Sequence, residues 1–197
     1  MKILFLTSNK IKAENAKKAM SKYDIDIEQI PYDLIESRSQ DPSVIVMEKA
    51  QQAFKFLKCP VIVEDSGFFI RALGNFPMTQ VKFSLETLGI KNILKMMEGV
   101  EDRHAEWRIS ACFVSGENEH RVFTYVEEGE IAKEIREIKR DMMSDYWRIY
   151  IPSVDKGNVL ALSEMSKEDV DVWERHFHDS NHFTEMGKWL KEKYLDK

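Results

Sequence analysis

Between Lys2 and Val63 the hydrophobic pattern keeps changing period, and that alternation restricts the fold more than any other feature of the chain. Lys2 to Leu6 is a compact apolar run, read as a strand, that meets Thr7, Ser8 and Asn9. A lysine- and alanine-rich segment follows, with Ile11, Ala16, Ala19 and Met20 at near-helical spacing. Ile25 to Pro31 alternates apolar and polar residues like a half-buried strand, and Pro42 to Leu57 places Val44, Met47, Ala50, Ala53, Phe54 and Leu57 on a helical stripe. Pro60 to Val63 then reads as a buried strand ending in Glu64, Asp65, Ser66 and Gly67, which puts acids at a strand mouth, where open α/β sheets usually place their sites.

The second half looks antiparallel. Trp107 to Val114 and Arg121 to Val126 are β-rich runs around Ser115, Gly116, Glu117 and Asn118, the pattern of a hairpin. Glu127 to Asp141 is dense in both charge signs, with Ile131, Ile135 and Ile138 at three- and four-residue steps, so helix and strand are both tenable there. Tyr146 to Ile151 reads as a strand ended by Pro152, and Ser180 to Leu195 as a closing helix with Phe183, Met186, Leu190 and Tyr194 on one face. With 197 residues, 43% hydrophobic content, no repeat and no linker-like tract, the expectation is one two-lobed domain over residues 1–197.

Charge and cysteine usage exclude several classes. A formal net charge of −5 gives no electrostatic footprint for a nucleic-acid duplex, although local lysines can still serve a nucleotide-sized anion. Cys59 and Cys112 have neither metal-ligand spacing nor the density of a disulfide scaffold. No stretch approaches a membrane span, so a cytoplasmic protein without a membrane partner is expected.

Three places could carry chemistry. At Thr7 to Lys12 a strand delivers hydroxyls, an amide and a lysine to a helix N-terminus, whose dipole and free N–H groups suit phosphate oxygens; Ser8 and Asn9 are equally ordinary caps. Glu64 and Asp65 are adjacent on a strand and must point to opposite faces, so one carboxylate at most faces a given cleft. Asp65 is the candidate, to hold a hard cation or to take a proton from water; the plainer alternative is a strand-end turn in which Gly67 adopts positive φ. His176, His178 and His182 would converge on a transition metal only if the segment bends, and a polar loop before the last helix is the simpler reading. Glu36 and Lys49 are individually unremarkable.

Taken in order, these signals resemble the inosine triphosphate pyrophosphatase family over nearly the whole chain. Its Thr-x-Asn-x-x-Lys turn is similar to Thr7, Asn9 and Lys12, its acidic loop to Asp33 through Glu36, and its substrate-facing helix lysine to Lys49. The Val-Glu-Asp-Ser-Gly signature is intact as Val63 to Gly67, and Ala72 to Pro77 resembles a family loop, with Lys82 downstream where a basic residue is common. The resemblance implies an α/β fold with a mixed, twisted sheet flanked by helices and two lobes around a central nucleotide cleft. It implies hydrolysis of non-canonical purine nucleoside triphosphates to monophosphate and pyrophosphate by a homodimer using Mg²⁺, or alternatively Mn²⁺. Glu36 and Asp65 would bind the metal, Asp65 and Lys49 would be catalytic, and Thr7, Ser8, Asn9, Lys12, Ser66, Gly67, Lys82, Tyr146, Trp147 and His182 would bind substrate.

The C-terminal half departs from that pattern. The family's Gly-Tyr-Asp-Pro turn reads Asp145, Tyr146, Trp147, Arg148 here, and of its Lys-Asn-x-x-Ser-His-Arg run only the histidine survives, as His182, with phenylalanines at Phe177 and Phe183. An unmatched buried polar group costs about 1 to 3 kcal/mol, so losing the aspartate and arginine should weaken or change selection for a 6-oxopurine, with Trp147, Tyr146, Tyr150 and Phe183 as stacking surface. The alternatives are a pyrophosphatase for modified pyrimidine nucleotides, like the Maf-type proteins, and a divergent paralogue that binds nucleotide or a protein partner without turnover.

Overall fold

Strand β1 (Lys2–Leu6) pairs in parallel with β2 (Asp26–Ile30) and with β3 (Val61–Ile70), Leu4 lying opposite Val61 and Lys2 opposite Asp26. The computed structural model describes residues 1–32, 34–35, 37–139, 142–153 and 157–196. Within these, β4 (Pro77–Met78), β5 (His104–Gly116), β6 (Glu119–Ile131) and β7 (Tyr150–Pro152) complete a seven-stranded mixed sheet. Its order is β2-β1-β3-β5-β6-β7, with β4 attached to β3. The helices are α1 (Lys10–Ser21), α2 (Pro42–Leu57), α3 (Val81–Thr87), α4 (Gly89–Met96), α5 (Lys167–Ser180) and α6 (His182–Leu190). None of them is long and apolar enough to cross a membrane.

The chain divides into two compact units. Unit 1 holds Met1–Ser66, Ile109–Tyr125 and His178–Lys197. Its strands alternate strictly. Ile3, Phe5, Ile62, Ala111 and Phe113 face a core with α1 and α6, whereas Leu6, Val61, Val63, Cys112 and Val114 face a second core with α2. The helices start where side-chain caps dictate: Asn9 accepts from the Ile11 and Lys12 N–H groups, Asp41 accepts from Ser43 N–H ahead of a proline at the first turn, and Asn181 accepts from Thr184 N–H.

Unit 2 holds Gly67–Arg108 and Val126–Phe177, around a core that includes Phe68, Ile70, Ile93, Tyr146, Tyr150 and Leu162. The extended chain continues through Glu64 to Gly67 to Ile70, so the expected strand end at Val63 is corrected. Gly67 is not among the residues of positive φ. Its role is close approach, because a Cβ there would lie 2.8 Å from the Met78 carbonyl oxygen of the neighbouring strand.

Two further expectations are revised, and one left open is decided. Tyr146–Ile151 is not one strand: Ser144 caps a 3₁₀ turn over Asp145–Arg148, and only Tyr150–Pro152 pairs, with β6. Of Glu127–Asp141, the part to Ile131 is strand; the described remainder is irregular, pinned by single bonds such as Ala132 N–H to the Ile149 carbonyl and Lys139 N–H to the Ser163 carbonyl. The histidine-rich segment is no loop: His176 and His178 ride on α5, and His182 opens α6.

Candidate functional site at strand β3

In unit 1, the parity that sends Ile62 toward α1 and α6 and Val63 toward α2 continues into the two acids. Glu64 therefore meets Lys12 of α1, Nζ to Oε1 at 3.0 Å, and His182 of α6, Nε2 to Oε2 at 3.3 Å. Asp65 meets Lys49 of α2, Nζ to Oδ2 at 3.0 Å, while its Oδ1 accepts from Ser66 N–H at 2.7 Å. Thus two adjacent carboxylates each bind a lysine from a different helix, one on each face of the sheet.

The two acids differ in environment. Burial alone would push Glu64 upward, but the Lys12 and His182 partners hold it well below the usual carboxylate range, at about 2. The side chain of Glu64 is 6% exposed, that of Asp65 19%. Glu64 is locked by two partners, whereas Asp65 is the carboxylate with room for a ligand. Sequence reasoning passed over Glu64 in choosing Asp65; strand alternation was the available signal that both positions could be occupied, on opposite faces.

At the β1–α1 turn, Asn9 Oδ1 accepts from Ile11 N–H at 2.9 Å and Lys12 N–H at 3.2 Å, and Thr7 Oγ1 accepts from Asn9 N–H. Two of the N–H groups expected to meet phosphate are therefore satisfied by the cap itself. Thr7 and Asn9 are half-buried and Ser8 is exposed. Thr7, Asn9, Lys12, Lys49, Glu64, Asp65, Ser66 and His182 all belong to unit 1.

The other candidates are placed differently. Glu36, and Asp33 of the same acidic loop, lie outside the described residues. Gly67 and Lys82 belong to unit 2, where Lys82 extends from α3 into solvent near Glu86. Tyr146 is fully buried, 4.5 Å from the Phe68 ring centroid and with its hydroxyl 2.9 Å from Ser84 Oγ; Trp147 packs against Trp173. Tyr150 is fully buried in the same core, and Phe183 in that of unit 1. The expected stacking surface is thereby corrected, because all four rings are committed to packing. No group of three or more His, Cys, Asp or Glu side chains that could hold a metal ion occurs among the described residues.

A strand carrying Val-Glu-Asp-Ser-Gly, flanked by two lysines that neutralise its acids, suits a polyanionic ligand. The profile of the Ham1 family matches residues 3–178. The chain belongs to the Ham1 family. It is 32% identical over 197 residues to the dITP/XTP pyrophosphatase of Saccharolobus solfataricus, covering 100% of this chain and 97% of that protein. It is 37% identical over 191 residues to the dITP/XTP pyrophosphatase of Methanopyrus kandleri, covering 97% of each. The fold is that of solved Ham1 proteins: the one from Coxiella burnetii superposes with a TM-score of 0.79 at 21% identity, over 98% of this chain and 99% of that one.

Proposed function

We propose that this Ham1 protein hydrolyses nucleoside triphosphates with non-canonical purine bases, releasing the nucleoside monophosphate and pyrophosphate, with Asp65 as the base and Mg²⁺ as the cofactor. The observation that carries the reading is the pairing of Asp65, inside the intact Val-Glu-Asp-Ser-Gly strand β3, with Lys49 of α2, in a chain that matches dITP/XTP pyrophosphatases end to end.

The donor chemistry fits the metal. Asp65 offers hard carboxylate oxygens, and Mg²⁺ is commonly held by one or two carboxylates completed by substrate phosphates and water. Asp65 would hold it, together with Glu36 by resemblance to the family. When bound, such an ion supplies charge neutralisation to a leaving pyrophosphate. The protein's own side chains do the rest. Lys49, on the same face as Asp65, brings a cationic Nζ for phosphate oxygens, exchanging part of its present pairing for the ligand, whereas Lys12 stays with Glu64 on the opposite face. Thr7 and Ser8 add hydroxyls beside the first turn of α1. Asp65, oriented by Ser66 N–H and Lys49, takes a proton from the attacking water.

Pyrophosphate release measured over inosine, xanthosine and the four common triphosphates, with and without Mg²⁺, tests this. Release that is Mg²⁺-dependent and highest for the first two is expected. Saturable binding with no release from any triphosphate would make the chain a nucleotide-binding paralogue instead.

A further inference from the structure

Helix α4 ends beside a cavity of about 570 Å³ whose lining belongs entirely to unit 2. Small-molecule sites fall between about 300 and 1,000 Å³. The end of α4 and the turn after it give this one an apolar wall, made of Leu94, the buried Met97 and Val100. Its cations come from two other places: Arg103 stands just before β5 and Lys133 just after β6.

Arg103 is fixed in place by neutral groups. Its half-buried guanidinium donates from Nε to the Ile131 carbonyl at 2.9 Å, from Nη1 to the Met97 carbonyl at 2.8 Å and from Nη2 to the Ala132 carbonyl. The Met97 carbonyl, at the negative end of α4, offsets only part of the charge. Glu130 attracts the guanidinium from a distance, but no carboxylate forms an ion pair with it among the described residues. Burial accordingly lowers its pKa, the direction expected of a cation short of counter-charge. A guanidinium has five N–H donors, so one remains on each terminal nitrogen, and carboxylates take such donors in pairs. Lys133 is exposed and also forms no ion pair among the described residues. A staple between α4 and the end of β6 accounts for the three carbonyl bonds; it leaves the missing counter-charge and the adjoining cavity unexplained.

We infer that this cavity is a binding site for a small organic monocarboxylate, with the carboxylate on Arg103 and Lys133 and the apolar body against Leu94, Met97 and Val100. The remaining lining residues decide against other anions. Glu98 and Glu101 are exposed on the same cavity, so a polyanion such as a nucleotide phosphate meets repulsion that a single negative charge largely escapes. A bare inorganic anion leaves the apolar wall uncovered. The site uses no residue assigned above to triphosphate hydrolysis, so it stands or falls independently of that reading.

The test is calorimetric titration of the full chain with isocaproate, its neutral amide, acetate and inorganic phosphate, with methyl NMR to locate the ligand. Isocaproate should bind saturably at millimolar concentration, about tenfold or more tighter than the amide, acetate or phosphate. Its binding should shift the methyl resonances of Leu94, Met97 and Val100. Lys133→Glu, a charge reversal at an exposed position, should weaken isocaproate about threefold or more and leave the amide unchanged. Arg103→Lys keeps the charge but not the planar fork, and should weaken isocaproate about tenfold. A merely structural role for Arg103 would weaken acid and amide alike. Absence of saturable isocaproate binding, equal binding of acid and amide, tighter binding of phosphate, or methyl shifts confined to other residues overturns the inference. So does an unchanged isocaproate affinity in Lys133→Glu, which decides the matter even if Arg103→Lys fails to fold.

Discussion

At the level of single residues, two buried carboxylates on two strands behave differently because their partners differ. Glu64 is buried but doubly paired, so removing it deletes its contacts with both Lys12 and His182. Since the Lys12 side chain keeps 20% exposure, Glu64→Ala should cost about 2 to 3 kcal/mol, below the full penalty of a deeply buried pair. Urea denaturation checks this, and a loss under about 0.5 kcal/mol would contradict the pairing. Glu127 is the opposite case. Burial raises it from 4.5 to about 7, only partly offset by the Trp173 N–H. The folded protein thus holds this proton more tightly than the unfolded chain does, and the carboxyl's contribution to stability falls as pH rises from 4.5 through about 7. Glu127→Gln removes that dependence. The variant should gain about 2.5 kcal/mol relative to wild type on going from about pH 5 to about pH 8. Equal differences at the two pH values would show that Glu127 is not buried as a carboxylate.

At the level of elements, legibility followed how local the determining forces are. Helix α2 was readable end to end, because Asp41, Pro42 and an apolar stripe are all contiguous signals. The length of β3 was not. Glu64 to Gly67 looks like a turn in sequence, and it stays extended because Lys12, Lys49 and the Met78 backbone, all distant along the chain, meet it. A Gly67→Ala substitution should destabilise by about 1 to 3 kcal/mol, since the new Cβ meets a backbone oxygen at 2.8 Å that no rotamer change can move. A thermal midpoint unchanged from wild type would contradict the close approach. Tyr146 and Trp147 were read as ligand surface because aromatic rings serve cores and binding faces alike; only the positions of Phe68, Ser84 and Trp173 decide between the two.

For the molecule as a whole, the family and the mixed α/β sheet follow from motifs in the first half of the sequence, whereas the division into two units is visible only in the structure. The second half was less legible. Its substitutions at Phe177 and Phe183 announced a changed recognition end, but the burial of Glu127 against the Trp173 indole N–H, and of Trp107 Nε1 without a partner among the described residues, emerge only from the packing. The account stands most directly on Asp65, the less buried acid of β3. Its decisive measurement is the rate of pyrophosphate release from inosine triphosphate with Mg²⁺ by wild type and Asp65→Asn, with folding of both verified by circular dichroism. A loss of about a hundredfold or more in a folded variant is predicted. Near-full release by Asp65→Asn would contradict the assignment.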